Sequence, residues 1–106
     1  TRIGRQVTVT AHIKTTSVNA TGASGDLYID GLPFTCNYRA PVQSGVAAAF
    51  STNFPLSGYI FPGTGFFYLE YRATVTGATS ICQVATLTAG AVAGQNELVF
   101  SATYFV

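Results

Sequence analysis

Val7, Val9, Ala11 and Ile13 alternate with Gln6, Thr8, Thr10, His12 and Lys14. A period of two puts one face of an extended segment toward a core and the other toward water. No window of the chain carries the i, i+3, i+4, i+7 apolar spacing of an amphipathic helix, so the sequence commits to strands. Leu27 and Ile29 repeat the alternation against Asp26, Tyr28 and Asp30 until Gly31 ends the run. A third strand is expected over Val46 to Thr52, where small residues allow close approach of a neighbouring layer. Tyr59 and Ile60 lie between turns marked by Pro55, Gly58, Pro62, Gly63 and Gly65. Phe66 to Arg72 is a strand aromatic on both faces, and Ile81 to Leu87 and Leu98 to Val106 complete the set. Ser17 to Gly25 and Gly90 to Gly94 have loop compositions. Short strands separated by turn signals at intervals of about 8–12 residues point to an all-β, antiparallel β-sandwich of jelly-roll type. The apolar C-terminal segment is expected to be a buried strand.

The surface of such a fold needs covering, and charge does not cover it here. Five basic and four acidic side chains make 8% of 106 residues, against 48% hydrophobic. An ordinary soluble domain carries about 25% charged residues. Tyr28, Tyr38, Tyr59, Phe61, Phe66, Phe67, Tyr68, Tyr71, Tyr104 and Phe105 are too many for so small a core, and burial between identical subunits resolves the excess. The length suits one domain, residues 1–106. Arg2, Arg5, Lys14, Arg39 and Arg72 are scattered along a chain of net charge +1, so no basic stripe invites nucleic acid. Apolar runs fall far short of the roughly 20 residues that a membrane-crossing helix needs, and no membrane insertion is expected. The chain opens Thr1, Arg2, Ile3 without Met and reads as a C-terminal piece of a longer protein.

Catalytic chemistry is poorly supplied. His12, the one histidine, falls on the outward face of its strand beside Gln6, Thr8, Thr10 and Lys14, which form neither a metal cage nor an acid pair. Asp26 and Asp30 sit about 13 Å apart along one strand at ~3.3 Å per residue, too far for the about 5–9.5 Å of a paired-carboxylate hydrolase. Cys36 and Cys82 have no CxxC partner; they read as buried free thiols, a disulfide requiring Cα atoms within about 7 Å. No enzyme activity, cofactor or metal is expected.

Three blocks carry a resemblance: the opening Thr1, Arg2, Ile3, Gly4, Arg5, Gln6, Val7, Thr8, Val9; the block Ala23, Ser24, Gly25, Asp26, Leu27, Tyr28, Ile29, Asp30, Gly31, Leu32, Pro33, Phe34; and the close Ser101, Ala102, Thr103, Tyr104. Together they resemble the C-terminal domains of bacteriophage tail fibres and tailspikes, with Ala102 standing where a Gly is usual. The middle of the chain matches only in character. The resemblance implies a β-sandwich that assembles as a homotrimer at the distal end of a virion fibre, locks three chains together and meets the host surface. It implies an extracellular, virion location and a bacterial surface polysaccharide as partner.

Exposed aromatic rings suit sugars, whose C–H faces stack on them while polar neighbours bind hydroxyls. Asn37, Tyr38 and Arg39, with Tyr59 and Phe61, are the candidate glycan-binding residues, whereas Phe66, Tyr68, Tyr71 and Tyr104 are candidates for the subunit contact. The competing expectation is that all these rings fill a core or a trimer contact. A stand-alone carbohydrate-binding module, a capsid decoration protein and a β-rich domain of a bacterial surface protein are the rival readings.

Overall fold

The computed structural model describes residues 1–19, 21–74, 76–90 and 94–106. The expected alternation is realised in its strands. In β2 (Gln6–Thr15), Val7 is buried and Val9, Ala11 and Ile13 are partly buried, while Gln6, Thr8, Thr10, His12 and Lys14 face water. The others are β1 (Arg2–Ile3), β3 (Tyr28–Asp30), β4 (Ala40–Ala48), β5 (Ser57–Ile60), β6 (Phe66–Tyr71), β7 (Ser80–Ile81) and β8 (Gln95–Phe105). Their pairings are antiparallel and join them into one sheet, β1-β2-β8-β4-β5-β6-β3, with β7 also beside β6. The chain is therefore all-β. No described helix is long and apolar enough to cross a membrane.

This sheet is curled. β6 and β8 are separated by β5 and β4, about 14 Å in a flat sheet at ~4.8 Å per strand. Yet the rings of Phe67 and Phe100 approach to 4.7 Å. β2 and β3 lie farther apart still in strand order, yet Val9, Ala11 and Ile13 line one cavity together with Ile29 and Leu32. The sheet is thus a half-barrel whose concave face encloses the core, with a seam between β2 and β3 that no strand pairing among the described residues closes. Bulges between Ile13 and Thr15 and between Ser44 and Val46 bend the long strands and help them curl. Val7, Val42, Ile60, Phe67, Leu69, Leu98, Phe100 and Tyr104 fill the interior with both thiols.

The C-terminal strand is buried as expected, and more centrally than an end segment need be, because β8 runs between β2 and β4. Other boundaries differ from expectation. β4 begins at Ala40, not Val46; Pro41 precedes the first pair with β8, Val42 to Ala102, so its missing N–H interrupts no bond to that neighbour. It stops at Ala48 because Ala49 turns into the left-handed region at φ 59°. The expected strand over Ile81 to Leu87 shrinks to β7 and a 3-10 turn, Val84–Thr86. β7 and β3 share one edge of β6: Cys82 N–H donates to the Leu69 carbonyl, after which Leu27 takes over by donating to the Cys82 carbonyl at 2.7 Å. Part of the expected Gly90 to Gly94 loop lies outside the described residues. Tyr104, expected at a subunit contact, is instead 0% exposed within the single chain and serves as core.

Candidate functional site

Since side chains alternate across a sheet, whatever β3, β5 and β6 do not turn inward stands on the convex face. Ile29, Ile60, Phe67 and Leu69 point in; Tyr28, Tyr59, Phe66 and Tyr68 point out. Register then aligns them. Tyr28 pairs with Tyr68, Tyr68 with Tyr59 and Tyr59 with Pro41, giving one row across four strands. A second row joins Asp30 to Phe66, and Phe61 closes it by donating its N–H to the Phe66 carbonyl at 3.3 Å. A third row is polar: Gln43, Ser57 and Glu70.

The rings interlock. Centroid separations are 4.9 Å for Tyr28 and Phe66, 5.5 Å for Phe66 and Tyr68, 5.5 Å for Tyr59 and Tyr68, and 6.1 Å for the nearly parallel Phe61 and Phe66. The first three pairs are tilted or edge-on and the fourth is stacked, all at separations usual for aromatic pairs. The Arg39 guanidinium lies 4.7 Å over the Tyr59 ring, a cation–π contact that holds the charge at the edge of the patch. Between this edge and the polar row runs a shallow groove of about 640 Å³, lined by Arg39, Gln43, Leu56, Ser57, Tyr59 and Glu70 among others. The Glu70 carboxylate accepts from the Thr79 hydroxyl at 2.8 Å. The face thus presents flat apolar rings beside donors and acceptors of both charges.

Of the residues expected to bind glycan, Arg39, Tyr59 and Phe61 come together here. Asn37 and Tyr38 do not line the groove; Asn37 is tied by its N–H to the Phe105 carbonyl, and Tyr38 is 68% exposed. Phe66 and Tyr68, expected at a subunit contact, belong to this same patch. Tyr71 is half-buried and packs against the core. Tyr28, Gln43, Ser57 and Glu70 were not anticipated. For Tyr28 the signal was present, since it is the outward member of the Leu27, Tyr28, Ile29 alternation; for the polar row it lay only in a register that no local pattern reveals.

The remaining candidates stand apart. Glu97 accepts from Lys14 at 2.8 Å and contacts His12 at 3.2 Å on the outer face of β2 and β8. Hydrogen bonds from Lys14 and then His12 hold its carboxyl below the usual range. Asp26 accepts from the Gln83 amide at 2.7 Å. Both cysteines are free and buried. Burial, reinforced by the Glu70 charge, pushes the Cys82 thiol up to about 11. No group of His, Cys, Asp and Glu able to hold a metal occurs among the described residues.

Compared with family models, curated proteins and solved structures, the chain matches none of them.

Proposed function

We propose that this chain is a non-enzymatic recognition and assembly module, one subunit of a trimeric tip of the kind that ends phage tail fibres, which meets a bacterial surface polysaccharide with its aromatic convex face. The observation that carries the reading is the continuous patch of Tyr28, Tyr59, Phe61, Phe66 and Tyr68 bordered by Arg39 and the Gln43, Ser57, Glu70 row. Core filling does not account for it, because Phe67 and Leu69 already occupy the inner face of the same strands. Rings held rigid by one another lose little entropy on binding, and the polar row stands where sugar hydroxyls need partners.

A different surface supports assembly. Ile3 pairs with Gln6 and Gln6 with Phe105, which puts two apolar side chains, 75% and 52% exposed, along one row at the end of the sheet. Phe34, 40% exposed under the Arg2 guanidinium, adds to the apolar exposure of that part of the chain. Three copies packed there would leave the convex rings free, and sandwich-like closure of the half-barrel would be completed between chains.

Glycan-array binding of the whole chain, with Tyr28→Ala and Phe61→Ala beside it, tests recognition; light scattering across a dilution series tests assembly. Loss of array signal in both variants with an unchanged trimer is expected. A trimer that falls apart in the same variants, with no glycan bound by the parent, would assign the patch to the subunit contact.

A further inference from the structure

The seam of the half-barrel opens on a second site, bordered by Tyr28 of the convex face but lined mainly from the concave side. A cavity of about 300 Å³ lies between the sheet's two ends, lined by Ile13 and Leu98 from β2 and β8 and by Leu27, Ile29 and Leu69 from β3 and β6 or beside them, with Phe50 from the loop after β4. That volume is at the lower end of the about 300–1,000 Å³ spanned by small-molecule sites.

Its chemistry is narrow. The polar side chains in the lining are those of Tyr28, Thr15 and Asn96; the Tyr28 ring packs against Phe66 and Tyr68 on the convex face, and Thr15 and Asn96 are committed to protein partners. Asn96 Nδ2 donates to Thr15 Oγ1 and to the Thr88 carbonyl, both at 3.0 Å, while its Oδ1 accepts the Thr88 N–H at 2.8 Å. Thr15 Oγ1 in turn donates to the Gln95 carbonyl at 2.9 Å. An incoming hydroxyl or charge would lose its water without gaining these groups as partners, which penalises polar ligands. Aliphatic walls beside side-chain hydrogen bonds that are already satisfied favour an apolar guest over a polar one.

The seam itself permits entry. Thr8 exchanges both backbone bonds with Thr1, at 2.8 Å each, so the even-numbered residues of β2 turn their backbone groups away from β8. Among the described residues, that edge has no neighbouring strand beyond β1, and neither does the edge of β3 opposite β6. We propose that this cavity is a binding site for a small uncharged apolar molecule, a fused-ring or short aliphatic compound without a hydrogen-bonding head group, admitted through the seam between β2 and β3.

Naphthalene and its charged analogue naphthalene-2-sulfonate serve as probes, titrated into the isotopically labelled 106-residue chain with the Leu and Ile methyl resonances followed by NMR. Saturable shifts confined to Ile13, Leu27, Ile29, Leu69, Leu87 and Leu98 are expected with naphthalene, at an affinity at least tenfold above that of the sulfonate. Leu87→Trp, which fills the cavity from a half-exposed position, should abolish them, and Leu27→Phe provides the same block if the first variant does not fold. Phe66→Ala on the convex face should leave them intact. Absence of saturation, equal affinity for the sulfonate, persistence in a folded blocking variant, or loss in Phe66→Ala would each overturn the assignment.

Discussion

Phe67 and Phe100 meet at a ring-centroid distance of 4.7 Å although two strands, β4 and β5, separate theirs in the sheet. Only curvature brings them together, so their coupling reports the curl. Phe67→Leu and Phe100→Leu are each expected to cost about 1–1.5 kcal/mol in urea unfolding. The double variant should cost less than their sum by about 1 kcal/mol, the worth of an aromatic pair. Strict additivity would mean that the two rings do not touch.

Gly58 allows β5 to lie close to β6. A side-chain carbon built there would stand 2.3 Å from the Tyr68 carbonyl oxygen, a backbone atom that cannot rotate away. Gly58→Ala is expected to destabilise the chain by about 2–3 kcal/mol, a large loss for a single methyl group. The urea midpoint checks it, and an unchanged midpoint would contradict the close approach.

Ala49 sits at φ 59° and Asn96 at φ 50°, and they are bonded to each other: the Asn96 N–H donates to the Ala49 carbonyl, which also accepts the Thr88 hydroxyl at 2.8 Å. Ala49→Gly relieves the left-handed strain and should be neutral or stabilising by up to about 1 kcal/mol. Asn96→Ala strands the Thr88 N–H and carbonyl and should cost about 2–3 kcal/mol. The opposite signs, read from thermal midpoints, check the account.

Cys82 loses its proton less readily folded than unfolded, because burial and then the Glu70 charge disfavour the thiolate. A raised folded pKa gives stability that is present below the unfolded value of 9.0 and is lost as pH rises through about 11. Unfolding midpoints are expected to fall across that window, less steeply in Cys82→Ala. In the native chain at pH 8 the thiol should resist a disulfide reagent that modifies it at once in urea.

Glu97 shifts the other way. Lys14 and His12 favour its carboxylate, so its contribution is present above the unfolded pKa and lost as pH falls through the lower folded one. Carbon-detected NMR should find the Glu97 carboxyl titrating below an ordinary glutamate, moving back toward it in Lys14→Gln. On so exposed a surface the effect on stability should be close to nothing.

Much of this was legible beforehand. The alternation of Val7 to Ile13 is enough to specify β2 and the side it buries, because a pleated strand has a period of two whatever surrounds it. Likewise the doubly aromatic Phe66 to Tyr71 announces a strand with aromatic rings on both faces, one of which lies in the core. Ile81 to Leu87 misled because its apolar content is real while its edge of β6 is shared with β3, a competition between distant segments. Tyr104 misled because outward and inward aromatics look alike until the register with β2 is set.

By itself, then, the sequence determined that the chain is β-built and which residues alternate, since both follow from local sterics and hydrophobicity. Only the tertiary structure decided that the strands form one curled sheet, that Tyr28, Tyr68 and Tyr59 share a row, and that Arg39 caps it. Those relations depend on pairings between residues tens of positions apart, whose registers are selected by the burial of the whole inner face at once.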